Sequence, residues 1–379
     1  MTRAAAVGVA LFLLASGVWP APVLRQSASE TGTELVLYTG GAATALVRQS
    51  WMVRLPRGAC ALSFAWESDN IDAATVRLQV PETVAVGERI HPAGADKTLQ
   101  WAVSSETGGV VPVTLAYQLA GVKWTPTYRL AWKPGSYEAT LTGYVTVTND
   151  SGMELAGLNV QIVLGRPGVA AIDGAQLQTH LLPDLHELPL GAAVRTAFLP
   201  PTPLGARQIH RIDSERAPEQ VRRILAVQPP SAGVLAREPL PAGPVTVVWE
   251  QEGRRIETAG AQLDYQPGEE FEIDLGEARE VLVRRRLLER SKVALEFDRL
   301  GRVSGFDTIE RYQLDVHNRG ASDVDLQVIE TVLGTWEFET SALHVMEAGR
   351  ALMHLRLAAG EAGSLSFTLT KHSGTRIPR

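Results

Sequence analysis

Cysteine is almost missing from this chain: Cys60 stands alone among 379 residues. Intramolecular disulfides are thereby excluded, and the fold must be held by its core. Positive charge is not in excess either. Thirty-six Lys and Arg against 42 Asp and Glu leave a formal net charge of −6, which gives no electrostatic reason to expect a nucleic-acid partner. Beyond the N-terminal segment, no stretch approaches the roughly 20 apolar residues of a membrane helix. Catalytic signatures are lacking too. Gly40-Gly41 has no following Lys-Ser/Thr to cradle a phosphate, and neither Ser304-Gly305 nor Ser373-Gly374 has the Gly two residues before the serine that a nucleophile elbow needs. The expectation is a protein that is not an enzyme and carries no cofactor.

What is present points to strands. A hydrophobic fraction of 45%, a charged fraction of 21%, 34 Gly and 22 Pro describe a globular chain with many turns between short elements. From Thr33 to about Ala120 the runs Glu34–Tyr38, Trp51–Leu55, Leu62–Trp66 and Thr75–Val80 are short and rich in β-branched or aromatic residues. Gly40-Gly41, Pro56-Arg-Gly58 and Asp69-Asn70 separate them as turns. The fold class read from this is all-β: antiparallel β-sandwich domains with a proline-rich insertion that carries one short helix. The domain reading places an N-terminal antiparallel domain at 33–118 and a β-sandwich domain at 119–375. The insertion, 166–244, interrupts the latter, because Arg166–Val245 holds twelve of the 22 prolines in about a fifth of the chain. Inside it, Ser214 as a cap and Val221, Ile224 and Leu225 on one face predict a helix over Ser214–Val227.

An internal echo runs through the second part. Val147-Thr-Asn149 … Val163-Leu-Gly165 and Val316-His-Asn318 … Val332-Leu-Gly334 lie 169 residues apart, each with sixteen residues from Asn to Gly. Both read as a strand, a polar turn and a returning strand. Asn149-Asp-Ser151 is formally a glycosylation acceptor, but its place at the turn of this hairpin is the simpler reading.

The N-terminus reads as an export signal. Arg3 precedes an uncharged apolar run, Ala4–Ala15, followed by Gly17, Trp19-Pro20 and the small residue Ala21, which places cleavage near Ala21 at the end of a 1–21 signal peptide. Loss of that segment takes the net charge to −7. The expected location is periplasmic or secreted, with no membrane span after signal removal.

Several phrases taken together resemble one bacterial family. Leu37-Tyr-Thr-Gly-Gly-Ala42 and Val53-Arg-Leu-Pro-Arg-Gly58 are similar to its N-terminal part. Trp124-Thr-Pro-Thr-Tyr128, Pro239-Leu-Pro-Ala-Gly243 before Val245, Pro267-Gly-Glu269 with Leu275-Gly276, and Tyr312-Gln-Leu-Asp-Val-His-Asn318 are similar to its main domain. The family is that of mucoidy inhibitor A-like proteins, also called domain of unknown function 4139. The resemblance covers about Leu35 to Leu369 and implies an exported, β-rich protein without catalytic residues to carry over. Residues 81–120 show no heptads, so the chain resembles a short form lacking the coiled coil of longer members.

Three groups of residues are weighed as sites. Glu270, Glu272 and Asp274 share one face of a strand whose other face carries Phe271, Ile273 and Leu275. Three carboxylates in a row suit Ca²⁺ only if loops bring further oxygens, and otherwise face water opposite Arg284, Arg285 and Arg286. His180, Asp184, His186 and Glu187 supply four donors within eight residues, in a loop whose prolines and leucines favour plain packing. Trp124, Tyr128 and Trp132 recur every four residues, so an extended strand places them on one face. Exposed, they make a platform for sugar rings; more commonly such a stripe is core. The functional expectation is a non-catalytic binding or structural module of the bacterial envelope, with an envelope polysaccharide or a protein as partner. The alternatives are an envelope hydrolase acting on glycan or peptide and a calcium-stabilised adhesin.

Overall fold

The computed structural model describes residues 10–14, 29–39, 43–164, 179–251, 254–332, 334–347 and 349–378. Strand accounts for 69% and helix for 1%, so the fold is all-β, built from several mainly antiparallel sheets. Among the described residues the helical content is a single 3₁₀ turn, Ala73–Thr75, capped by the Asp72 carboxylate, which accepts from Ala74 N at 2.9 Å.

The N-terminal strands fall where alternation places them. Ser29–Tyr38 pairs antiparallel with Thr44–Leu55 and parallel with Leu158–Val163. Gly58–Ala65 pairs with Thr98–Ser105 in a second sheet. The Thr44–Leu55 strand buries every second residue from Ala45 through Val47, Trp51 and Val53 to Leu55, as a half-buried strand must. These sheets close on one core running from Leu35 to Leu188, so the first echo segment, from Val145 through Met153 to Leu188, packs with the N-terminal strands. A second core gathers Tyr128, Leu130, Trp132, Leu225, Val247 and Tyr265, and a third gathers Ile212, Leu314, Val316, Leu326, Met353 and Phe367. Of the segment expected to be an export signal, the backbone of Ala10–Leu14 forms a strand against Gly58–Ala65. The remainder, including the expected cleavage point at Ala21, lies outside the described residues. Among the described residues no helix is long and apolar enough to cross a membrane.

The echo is real in three dimensions. Thr148 pairs with Ala193 and His317 with Ala362, and Leu155 pairs with Leu188 as Val324 pairs with Leu357. Each second partnership is the first displaced by 169 residues. The first strands of the two copies lie in different sheets, while the second copy's returning strand, Val324–Thr331, joins the sheet that holds Glu138–Asn149. Glu138–Asn149 belongs to the ten-stranded sheet and Val303–Asn318 to a four-stranded one.

The proline-rich region departs from expectation. Ala193–Asp213 and Ala217–Gln228 are long strands, paired with each other, and the helix expected over Ser214–Val227 is absent. The spacing of Val221, Ile224 and Leu225 misled because this strand is covered on both faces. Leu225 and Val227 enter the second core, while Ile224 and Ala226 pack with Ile209 on the other side. A strand buried on both sides loses its alternation. Ser214 caps nothing; its hydroxyl accepts from Thr331 N at 3.2 Å. The prolines are accommodated at a fault in the ladder. Register runs from Leu141↔Thr202 to Gly143↔Leu199, so Pro200 and Pro201 fall in the bulge, where no ladder donor is required.

A cavity where three separated stretches meet

The Val122–Trp132 strand is fixed at its start from several sides. Gly121 N donates to Ala43 O and Asp150 N donates to Gly121 O, both at 2.8 Å. Gly121 has φ +87°, and a Cβ there would lie 2.6 Å from Asp150 O, so no larger residue fits. Three residues on, the indole of Trp124 is half-buried against the first core and donates from Nε1 to Tyr38 O at 3.1 Å. The buried Tyr128 hydroxyl donates to Pro241 O at 2.6 Å. Gly243 lies so close to Pro126 that a Cβ would stand 2.8 Å from the Pro126 carbonyl oxygen. Three stretches that are distant in sequence, around Tyr38, Trp124 and Pro241, are thus tied into one corner.

Between them is a cavity of about 500 Å³, lined by Tyr38 and Thr39, by Ala43 and Thr44, by Val122 to Pro126, and by Pro241 and Ala242. That size accommodates a small ligand. Its lining offers an indole, a phenol, threonine hydroxyls and one cation, Lys123, whose Nζ stands 3.4 Å from Asp150 Oδ2. Burial raises the pKa of Tyr38, an effect that Arg48 reduces and Glu34 reinforces, so the phenol stays protonated at neutral pH. Among the described residues that line it, none is a carboxylate, an imidazole or a thiol.

The stripe of Trp124, Tyr128 and Trp132 is core rather than platform. Tyr128 and Trp132 are 2% and 5% exposed within the second core, and the Trp132 indole donates to Ser136 O at 3.1 Å. Trp124 lines the cavity just described, and Trp132, although buried in the core, borders a second cavity with Arg129, Lys133 and Trp249.

The acidic strand is engaged, but by other arginines than those expected. Arg211 grips Glu272 with both terminal nitrogens, Arg222 meets Asp274 at 2.7 Å, and Arg207 lies 3.9 Å from Glu270. These come from the two strands of the former insertion, because Ala217–Gln228 pairs with Phe271–Glu277. Arg285 turns to Glu330 and Arg286 to Asp315. With each carboxylate facing a guanidinium, the row is a cross-strand ladder. His180 is buried against Phe198, its Nε2 without a hydrogen-bond partner among the described residues, and burial lowers its pKa. His186 Nδ1 lies 3.4 Å from Leu158 O, and Asp184 and Glu187 do not join it. Among the described residues no group of three or more His, Cys, Asp or Glu side chains is placed to hold a metal ion.

One Asp–His pair was not anticipated. His372 Nδ1 lies 2.8 Å from Asp307 Oδ1 and Arg376 Nη2 lies 2.6 Å from Asp307 Oδ2, yet His372 Nε2 faces the Glu337 carboxylate at 3.5 Å rather than a hydroxyl nucleophile. The hydrogen bonds from Arg376 and then His372 hold the Asp307 carboxyl below the ordinary aspartate value of 3.8. A depressed carboxylate pKa stabilises the fold above the unfolded value, and that contribution is lost as pH falls through the folded one. Asp307→Asn should therefore lower the urea midpoint at neutral pH and approach the wild type as the pH is taken below about 4. An Asn penalty that stays constant across that range would show that the Asp307 carboxylate charge does not carry this stability.

The chain matches no family model, and no curated protein matches it. The resemblance to the mucoidy inhibitor A-like proteins therefore rests on the phrases themselves. Three of those phrases, Leu37–Ala42, Trp124–Tyr128 and Pro239–Gly243, are the ones whose described residues build the cavity. Each phrase is conspicuous in the sequence, and only the fold brings them into contact.

Proposed function

We propose that this chain is an exported, non-catalytic binding module of the bacterial cell envelope, and that the cavity beside Trp124 holds its ligand. The observation that carries the reading is the meeting of three distant stretches around one concave site with an aromatic wall and hydroxyls. An indole beside hydroxyl donors and acceptors suits a neutral or weakly anionic saccharide unit, whose apolar ring face packs on the aromatic and whose hydroxyls pair with the threonines and tyrosine. Lys123 adds affinity for an acidic sugar. The N-terminal signal and the family resemblance support the envelope as its place of work. A hydrolase would need carboxylates directed into this cleft, and the acids considered for that role are instead paired with arginines on another strand.

The test is co-sedimentation of the purified chain with isolated cell-wall sacculi and with outer-membrane fractions. Ala242 is exposed at the rim, so Ala242→Trp fills the cavity without disturbing a core. Saturable binding to either fraction, weakened about tenfold or more in Ala242→Trp and in Lys123→Glu, is the expected result. Binding that survives Ala242→Trp unchanged would remove the cavity from consideration.

A further inference from the structure

The surface farthest from this cavity in character is the hairpin formed by Val281–Phe297 and Val303–Asn318. Val281–Phe297 is the outer strand of its four-stranded sheet, and its residues from Arg286 to Phe297 are exposed except for Ser291. At the hairpin tip Leu295 is 47%, Phe297 62%, Leu300 75% and Val303 50% exposed. Phe297 and Val303 are cross-strand partners, so their side chains lie together. This tip does not depend on a loose loop. The Asp298 carboxylate accepts from Leu300 N at 2.8 Å and from Arg302 N at 2.9 Å, and Asp298 N donates to Arg302 O. A turn clamped in this way holds Leu300 outward.

Charge singles out the same segment. From Arg284 to Val303 there are seven Lys and Arg against three Asp and Glu, a net +4 in a chain whose formal charge is −6. Several of these cations have partners, among them Arg286 with Asp315 and Arg290 with Glu310. Lys292 stacks over Phe306 at 4.1 Å. Among the described residues Lys292 and Arg299 have no ion-pair partner, and both flank the apolar tip.

Exposed apolar side chains ringed by unpaired cations are what a protein needs to sit at a lipid interface, where apolar groups enter the acyl boundary and cations meet phosphates. Edge-to-edge pairing with a second copy is less well served. Register shifts between Leu287 and Glu289 and between Val293 and Glu296 break the edge, with Ala294 at φ +49°, and such bulges blunt an edge against further strands. We propose that the tip of this hairpin docks on an anionic phospholipid bilayer, inserting Phe297 and Leu300 while Lys292 and Arg299 contact the headgroup phosphates.

The test is sedimentation of the full chain with vesicles of phosphatidylglycerol and phosphatidylcholine, compared with vesicles of phosphatidylcholine alone. Binding to the anionic vesicles is expected, weakened by salt as screening shortens the reach of the charges. Phe297→Ser/Leu300→Ser should weaken it about tenfold or more, and so should Lys292→Glu/Arg299→Glu. All four positions are exposed, so the fold should be retained, as circular dichroism will show. Phe297→Trp should give a blue-shifted emission on adding anionic vesicles. The cavity-filling Ala242→Trp should bind vesicles as the wild type does, which separates this surface from the proposed ligand site. Absence of wild-type binding, or equal binding by the Ser double variant, would overturn the proposal. So would ultracentrifugation showing a dimer that Phe297→Ser/Leu300→Ser abolishes, because the tip would then be covered by a second copy.

Discussion

Replacing Asn149 by Ala is expected to destabilise the protein by about 3 kcal/mol or more, because three buried backbone groups lose their partner at once. Asn149 has no exposed surface. Its amide donates to Met153 O at 2.7 Å and to Leu188 O at 2.8 Å, while its Oδ1 accepts from Ser151 N at 3.1 Å. The equivalent residue one repeat later does the same work. Asn318 donates to Ser322 O and Ala358 O, both at 2.9 Å, and accepts from Gly320 N at 3.0 Å. A buried group left without a partner costs roughly 1–3 kcal/mol, and alanine offers neither donor nor acceptor. Asn149→Asp should be no better, since it turns a donor toward two carbonyls into an acceptor. The two sites share no partner, so Asn149→Ala and Asn318→Ala should add. Urea unfolding of the two single variants and the double checks this, and a loss below about 1 kcal/mol for either would mean that water reaches the freed carbonyls. Because the buried amide of Asn149 is committed to Met153 O in the turn and to Leu188 O beyond it, the Asn-Asp-Ser sequence is a structural turn and not a surface acceptor.

Those asparagines also show what the sequence could and could not convey. The echo at 169 residues was legible because a repeated hairpin leaves a repeated spacing. That its asparagines would be fully buried was not, since Asn at a turn ordinarily faces water. Strands such as Thr44–Leu55 were legible because one face is buried and the other is wet. The Ala217–Gln228 strand was not, because neighbours on both faces erase the period of two and leave apolar residues at accidental helical spacing. Proline density suggested a loop where Pro200 and Pro201 occupy a bulge inside a long strand. For the acidic strand, local pattern gave the faces correctly: Ile273 and Leu275 are buried and the acids are out. Its partners were unreadable, since Arg211 and Arg222 lie some fifty to sixty residues away and only sheet order brings them alongside. The cavity fails for the same reason. Each lining stretch was conspicuous alone, and their meeting is a property of topology.

The second large effect is expected at Arg285 and Glu330, where charge is buried beside the third core. The side chain of Glu330 is 5% exposed and that of Arg285 16%. Two parallel bonds join them, Nη1 to Oε2 at 3.0 Å and Nη2 to Oε1 at 2.6 Å, and the guanidinium lies over the Tyr312 ring at 4.3 Å. Burial raises the Glu330 pKa above the ordinary 4.5, and the arginine offsets only part of that rise. Such a pair is costly to break from one side because the remaining ion stays desolvated. Glu330→Leu or Arg285→Met alone should each cost about 3–5 kcal/mol, whereas Arg285→Met/Glu330→Leu should recover most of the loss. The singles differ in pH dependence. With Arg285 gone, the Glu330 carboxyl is pushed higher still, so Arg285→Met should be most stable below the unfolded value and lose stability as pH rises toward the folded one. Glu330→Leu has no such group and should show no added slope. Urea midpoints at about pH 5 and pH 8 separate the two. A double variant no more stable than either single would mean that the pair is held for its geometry, with Arg285 clamping the outer strand against the facing sheet and stacking on Tyr312, rather than being an ion pair that an apolar couple can replace.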